Sequence, residues 1–289
     1  MAYYHPRYSN YRKKKKSKFS RFILVFLVIL ILAALGVGYQ LWVVIFKPNT
    51  WVPDHESASL YIPTGAEYDD LESILYGHGM IVNRKTFEWL AHKKNLPANV
   101  YPGRYIIRHG MNNNELINLL RSGEQAPVDV TFNNIRTKED LAKNISAQIE
   151  ADSAGLIRLL NDSIYLSKYG FNQHTVLSMF IPNTYEFYWN TGSNAFFERM
   201  FSEYNKFWTA ERLAKAEEIG LEPIEVSTLA SIVDKETTKT DEMTTIAGVY
   251  TNRLKVNWRL QADPTVVFAW KDFGMRRVLK IHKLIDSPY

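Results

Sequence analysis

Hydrophobic positions divide the chain into one long apolar run and a longer region with mixed helix and strand patterns. The run covers residues 22–46 and is interrupted only weakly, at Tyr39 and Gln40. Because about 20 apolar residues cross a bilayer as a helix, the run predicts a membrane-spanning segment. A cleaved signal peptide is the alternative, but its apolar region would be only about 7 to 15 residues long.

The next region alternates short strands with amphipathic helices. Strands are predicted at 60–62 and 104–108, with two helices between them that start near Asp69 and at Asn83. This order predicts a small βααβ module over residues 58–123.

The segments on either side of this module differ in character. Residues 47–57 contain two prolines and few apolar side chains, which predicts a spacer between membrane and module. Residues 124–289 continue with a strand pattern at 128–132 and several helical patterns. The expected fold class is therefore α+β: a membrane helix, the βααβ module and a larger α+β domain.

Charge is distributed unevenly along the chain. The net charge is +5, but residues 1–21 hold eight Lys and Arg side chains and no acid, which leaves 27 basic against 30 acidic residues elsewhere. The positive charge therefore belongs to the tail alone, and the slightly acidic remainder predicts no nucleic-acid partner. By the positive-inside rule, the tail predicts a cytoplasmic N-terminus, with the rest of the chain on the outer side of the membrane.

Composition also excludes several kinds of site. The chain has no cysteine, which rules out disulfides, thiol catalysis and cysteine-based metal centres. Its seven histidines form no His-x-x-x-His pair, and no glycine-rich phosphate loop is present. The sequence therefore predicts neither a metal nor a cofactor.

One acid stands out on the helix that begins at Pro223. At 100° per residue, Glu236 falls within about 20° of Leu229 and about 40° of Ile232, on the packing face. Burial there would raise the pKa of the carboxyl, as a general acid requires. The same spacing also fits a glutamate paired with an arginine, or one at a helix end where the face reaches solvent.

Two other segments leave alternatives open. Asp263 precedes Pro264 and is held in an extended or turn conformation, where it either presents its carboxylate to a ligand or forms an Asx-turn. The aromatic-rich segment 180–189 fits a binding-groove wall or a buried strand pair, and composition favours core packing.

Three segments resemble a known family in both content and spacing. They read LASIVDKET at 229–237, AGVYTNRL at 247–254 and LQADPTV at 260–266, with Pro-Asn-Thr-Tyr at 182–185 upstream. They are similar to the YceG-like family of endolytic murein transglycosylases. The resemblance implies cleavage of the β-1,4 bond between N-acetylmuramic acid and N-acetylglucosamine within nascent peptidoglycan strands. The resemblance also implies products with 1,6-anhydro ends and an end to strand elongation.

The resemblance also implies roles for individual residues. Glu236 takes the position of the catalytic glutamate, and the module 58–123 looks LysM-like. The candidates for holding sugar are Asp263, Gln261, Asn252 and Tyr185. The partners implied are peptidoglycan glycan strands, the inner membrane and cell-wall synthases that the sequence does not name.

The chain departs from the family pattern in three places. Asp234 stands where a glutamate is usual, and Asn183 replaces an acid. The family continues beyond Tyr289 into a Gly- and Pro-rich stretch, so the resemblance implies a chain shortened at its C-terminus.

Two other functions remain open at this point. One is a membrane-anchored, non-catalytic scaffold that binds glycan. The other is a muramidase that uses Glu236 and Asp263 as a carboxylate pair and leaves reducing ends.

Overall fold

The structure, a computed structural model, describes Met1 and residues 18–53 and 56–287. The predicted basic tail, residues 1–21, therefore lies mostly outside the described residues, as do Asp54 and His55 of the predicted spacer. The chain divides into two compact units, Met1–Ala126 and Pro127–Tyr289.

The first unit contains the apolar helix and the small module. Its elements are α1 (Lys18–Phe46), β1 (Ser57–Ile62), α2 (Tyr68–Gly77), α3 (Arg84–Lys93), β2 (Gly103–Arg108) and α4 (Asn113–Ser122). The stretch Arg21–Phe46 is long enough to cross a membrane, and an 18-residue window within it has a mean hydropathy of 2.9. One such N-terminal helix fits a single-pass anchor, and the same features fit a signal sequence.

The module follows the predicted order of strand, two helices and strand. β1 and β2 pair antiparallel with Leu60 opposite Tyr105, and both of these side chains are buried. The Asn83 side chain accepts a hydrogen bond from the Thr86 amide and caps α3. The cap at Asn83 involves residues only three positions apart, which is why the sequence alone predicted the start of α3.

Residues 48–52, within the predicted spacer, form part of the module. Pro48 pairs with Asn112 and Thr50 pairs with Ile81 in isolated β-bridges. Asn49 and Thr50 are both buried. This half of the segment is therefore held by backbone pairing, which its two prolines did not indicate.

The second unit is mainly helical, with one two-stranded sheet. Its elements are β3 (Val128–Phe132), α5 (Lys138–Ser146), α6 (Ser153–Asn161), α7 (Ser163–Ser167), β4 (Asn183–Phe187), α8 (Ser193–Phe207), α9 (Ala210–Ile219), α10 (Pro223–Glu236), α11 (Thr240–Lys255) and α12 (Asp263–Trp270). β3 and β4 pair antiparallel, and their inner faces join a large core with α5, α6 and α8.

The aromatic-rich segment 180–189 belongs to this core. Phe180, Tyr185 and Phe187 are buried, and the ring of Phe180 stacks on that of Phe196 at 6.0 Å between centroids. Of the two interpretations that composition left open, the buried strand pair holds. A second, smaller cluster centres on Leu229, Val233, Tyr250 and Ala262 and joins α10, α11 and the start of α12.

Candidate active site

The candidate site lies where α10 ends. Pro223 occupies the first turn of this helix, and a capping box between Glu222 and Glu225 closes its N-terminus. Leu229 and Val233 are buried, whereas Glu236, the last residue of the helix, is exposed. The packed face of the helix thus ends at Val233, and Glu236 lies beyond it in contact with solvent.

The expected burial of Glu236 is not what the structure has. Helical spacing placed this residue on the packing face, and the direction is right, because Glu236 lies one turn beyond Val233. The small cluster does not extend that far along the axis, so the carboxylate reaches solvent. This is the helix-end alternative that the spacing left open, and desolvation no longer supports the assignment of a general acid.

Tyr250 of α11 is a neighbour of Glu236. Burial, first, and then the Glu236 charge and a hydrogen bond with it, raise the pKa of Tyr250 above its ordinary value. Only 5% of Tyr250 is exposed. The phenol therefore keeps its proton at neutral pH and can donate it in a hydrogen bond to the carboxylate.

Arg253 and the segment after α11 complete this part of the surface. Arg253 lies one turn after Tyr250, with its guanidinium carbon 5.9 Å from the centroid of the tyrosine ring. Its Nη1 donates to the carbonyl oxygen of Leu260. This bond ties the loop 256–262 to α11 and brings the start of α12 beside α10.

Asp263 is the first residue of α12, and its charge also acts on Tyr250. Its carboxylate lies 3.9 Å from the Lys283 ammonium, and both side chains are more than half exposed. Such a surface pair is worth little energetically, so Asp263 remains accessible to a ligand. We call the group formed by Glu236, Tyr250, Arg253 and Asp263 the acid cluster.

The two other candidate sugar-binding residues, Gln261 and Asn252, lie in different positions relative to the acid cluster. Gln261 is exposed, lies two residues before Asp263 along the chain, and has a positive φ of 52°. Asn252 is exposed and lies about 160° around α11 from Tyr250. Gln261 thus lies in the loop that leads to Asp263, whereas Asn252 lies on another face of α11.

Tyr185 lies in the large core and not on an open surface. Its ring stacks on Phe132 at 5.6 Å, and its hydroxyl donates to the Ile181 carbonyl at 2.7 Å. With 8% of the residue exposed, the ring has no free face for a sugar. The expected sugar contact of Tyr185 does not fit this placement, because strand pairing with β3 turns the side chain inward.

The partnership of Tyr250 with Glu236 was missed in the sequence. Tyr250 fell on the apolar stripe of its helix, where an aromatic residue is most simply interpreted as core. A tyrosine on such a stripe that needs a partner for its hydroxyl was the one available signal. Among the described residues, no three His, Asp or Glu side chains gather in a metal-binding arrangement.

Comparison with known proteins adds sequence and fold relationships. The profile of the YceG-like family matches residues 60–289. An endolytic murein transglycosylase of Bacillus subtilis is 26% identical over 253 residues, covering 81% of this chain and 68% of the relative. A protein of the same name from Streptococcus pneumoniae is 24% identical, over 79% of this chain and 46% of its own length.

One solved structure shares the fold. It is a YceG-like protein from Listeria monocytogenes, which superposes with a TM-score of 0.51 and 22% identity over 81% of each chain. The chain thus spans about two thirds of the Bacillus relative and under half of the Streptococcus relative.

Proposed function

Because the chain belongs to the YceG-like family, we propose that it is an endolytic lytic transglycosylase acting on peptidoglycan. The bond cleaved is the β-1,4 bond from N-acetylmuramic acid to N-acetylglucosamine, and the product carries a 1,6-anhydro end. The observation that carries the proposal is the exposed Glu236 beside a protonated tyrosine, within the sequence block that resembles the family.

In the proposed mechanism, Glu236 acts twice. Protonated, it donates its proton to the glycosidic oxygen as the C1–O bond breaks. The resulting carboxylate then takes the proton of the muramyl C6 hydroxyl, whose oxygen forms the new bond to C1. The proton is returned and no water is consumed, so one carboxyl group suffices, whereas hydrolysis uses a carboxylate pair.

The neighbours of Glu236 have separate roles in this proposal. Tyr250 orients the carboxylate and donates a hydrogen bond to its ionised form between the two steps. Gln261 and Asp263, exposed at the start of α12, bind sugar hydroxyl and acetamide groups. Asn252 faces elsewhere, so it would contact only a more distant part of a glycan strand.

We place the enzyme at the outer face of the inner membrane. α1 serves as a single-pass anchor with a cytoplasmic N-terminus, which the basic residues before it favour. A tethered site samples glycan only within its reach, which suits nascent strands and synthases in the same membrane as partners.

The test compares Glu236→Gln with the wild type on purified peptidoglycan. The full chain is used in detergent micelles, and mass spectrometry identifies the product ends. Gln keeps the shape of the side chain but cannot transfer a proton, so anhydro ends should disappear while the circular dichroism spectrum stays unchanged. Asp234→Asn is the matched control, because Asp234 is exposed and pairs only with Lys235 in its own helix turn.

Two outcomes would reject the proposal. Wild-type levels of anhydro ends from Glu236→Gln would show that another group transfers the proton. Reducing ends from the wild type would instead support the two-carboxylate muramidase with Glu236 and Asp263.

A glycan-binding scaffold is the second candidate, and a cavity on the module favours it. The cavity has a volume of about 360 Å³ and lies between the loop after β1 and the loop before β2. Its lining residues are Ala66, Glu67, Tyr68, Asp69, Pro97, Ala98 and Val100. A chain that pulls down peptidoglycan without producing any anhydro ends would support this function over the enzyme.

A further inference from the structure

The structure has a cleft between the apolar helix and the module. Its volume is about 570 Å³, and its walls come from α1 and α3 of the first unit. Its lining includes Ala33, Gly36 and Val37 of α1 and Lys85, Thr86 and Trp89 of α3.

Helix geometry indicates how far this cleft extends into the bilayer. Arg21–Phe46 has 26 residues and is about 39 Å long, roughly 9 Å more than the hydrocarbon core of a bilayer. Ala33 lies about 20 Å back from Phe46 along the axis. With Arg21 at the inner boundary, about 10 Å of the cleft therefore lies beside helix turns that the bilayer surrounds.

The join between α1 and the module keeps this arrangement in place. The Asn113 side chain donates to the Val44 carbonyl at 2.8 Å, within the last turn of α1. Its own oxygen accepts from the Asn49 side chain at 2.6 Å, and both asparagines are buried. The Asn49 and Thr50 amides donate to the Met111 carbonyl, so no free linker separates helix and module.

The outer stripe of α3 has the composition of a membrane-interface surface. Lys85, Trp89 and Lys93 follow one another at four-residue spacing, so they share one face. Trp89 is 42% exposed although large and apolar, and the Lys93 ammonium lies 6.0 Å from its ring centroid. Tryptophan prefers the headgroup level of a bilayer, and lysine extends its ammonium to the phosphates.

Charge on this stripe complements phospholipid. The one acid of α3, Glu88, accepts a hydrogen bond from the Tyr76 hydroxyl at 3.0 Å, on the side of α2. Phe87, Leu90 and Ala91 fill the module core on the opposite face. The stripe is therefore basic and aromatic, which is typical of helices that lie in the interface with their apolar side chains about 5–10 Å deep.

We propose that the Lys85–Trp89–Lys93 stripe of α3 is a second membrane contact, seated in the outer-leaflet headgroup region beside α1. A lipid acyl chain occupies the cleft and Trp89 lies at the level of the headgroups. The module is thereby held against the bilayer in a fixed orientation. This inference rests on the proposed membrane anchor and not on the proposed chemistry.

The test uses single cysteines, since the chain has none of its own. Lys85→Cys in the full chain is labelled with an environment-sensitive fluorophore and reconstituted in vesicles of phosphatidylcholine and phosphatidylglycerol. We expect blue-shifted emission that spin-labelled lipid quenches and aqueous iodide does not. Adding Trp89→Ser should reduce quenching by lipid, because the stripe then loses its interfacial side chain.

Two further labels make the result decisive. Tyr61→Cys, on strand β1 and 41% exposed, should be quenched by iodide, and Leu30→Cys, in the middle of α1, by lipid. A label at position 85 that responds to iodide as strongly as one at position 61 would overturn the proposal. Iodide quenching at position 30 would show that α1 does not span the bilayer, and it would thereby reject both the proposed anchor and the second membrane contact. Neither result depends on peptidoglycan cleavage.

Discussion

At the scale of single residues, the position of Glu236 suits a polymeric substrate. A glycan strand is bulky, and a carboxyl group that acts inside it must stand at the surface, as Glu236 does at the end of α10. The nearby protein groups then control its orientation. Tyr250 is one such group, because the Glu236 charge and a hydrogen bond with it help to raise the pKa of Tyr250.

Tyr250→Phe is predicted to slow the reaction while leaving the fold intact. Phe fills the same space but lacks the hydroxyl, and a hydrogen bond to a charged group contributes about 1.5–3 kcal/mol. We expect kcat for release of anhydro ends to fall roughly ten- to hundredfold, with KM changed little.

A matched variant separates this effect from simple loss of a buried hydroxyl. Tyr204→Phe removes the hydroxyl of a tyrosine that is 8% exposed, compared with 5% for Tyr250, and that belongs to the large core. Its kcat should stay within about twofold of the wild type, because Tyr204 belongs to the large core and not to the acid cluster. Equal losses from both variants would contradict a specific role for Tyr250.

At the scale of secondary-structure elements, the join between α1 and the module is the most distinctive feature. Asn113, at the start of α4, is 1% exposed and makes hydrogen bonds to Val44, Asn49 and Thr86. Amides buried in this way are fully paired because leaving one unpaired would cost the energy of its lost hydration. The asparagine network thus couples the end of α1 to the fold of the module.

Asn113→Ala is predicted to destabilise the module. It leaves the Asn49 amide and the Val44 carbonyl without this partner, so the free energy of unfolding should fall by about 1–3 kcal/mol. Chemical denaturation of the full chain in micelles, followed by circular dichroism, measures this change. Asn118→Ala is the control, since Asn118 is exposed and accepts only from Lys94. A similar loss from both variants would argue against the network.

At the scale of the whole molecule, the two units have separate cores. One core joins β1, β2 and the helices of the module, and the other joins β3, β4, α5, α6 and α8. The two clusters share no residue. Each unit buries its own apolar side chains, so each has an independent source of stability.

Core substitutions are therefore predicted to act within one unit. Phe196→Ala removes a fully buried ring that contacts Phe180 and Phe187, and should cost the second unit about 3–5 kcal/mol. Phe87→Ala should do the same to the module. Hydrogen exchange with mass spectrometry locates the loss of protection, and protection lost in both units from either variant would contradict independent cores.

The sequence by itself determined the local elements of this protein. The membrane-length helix, the βααβ order and the helix start at Asn83 are all present. Capping, turns and hydrophobic periodicity involve residues a few positions apart, so their physical cause is contained in a short stretch of chain.

Only the tertiary structure decided which side chains each helix or strand face contacts and which it leaves exposed to solvent. Periodicity gave the direction of Glu236 around its helix but not where the packed layer ends, so its exposure could not be predicted. The same holds for the turning away of Asn252 and the partnership of Tyr250. These depend on side chains far apart in the sequence, whose packing is set by the whole core and not by any one element.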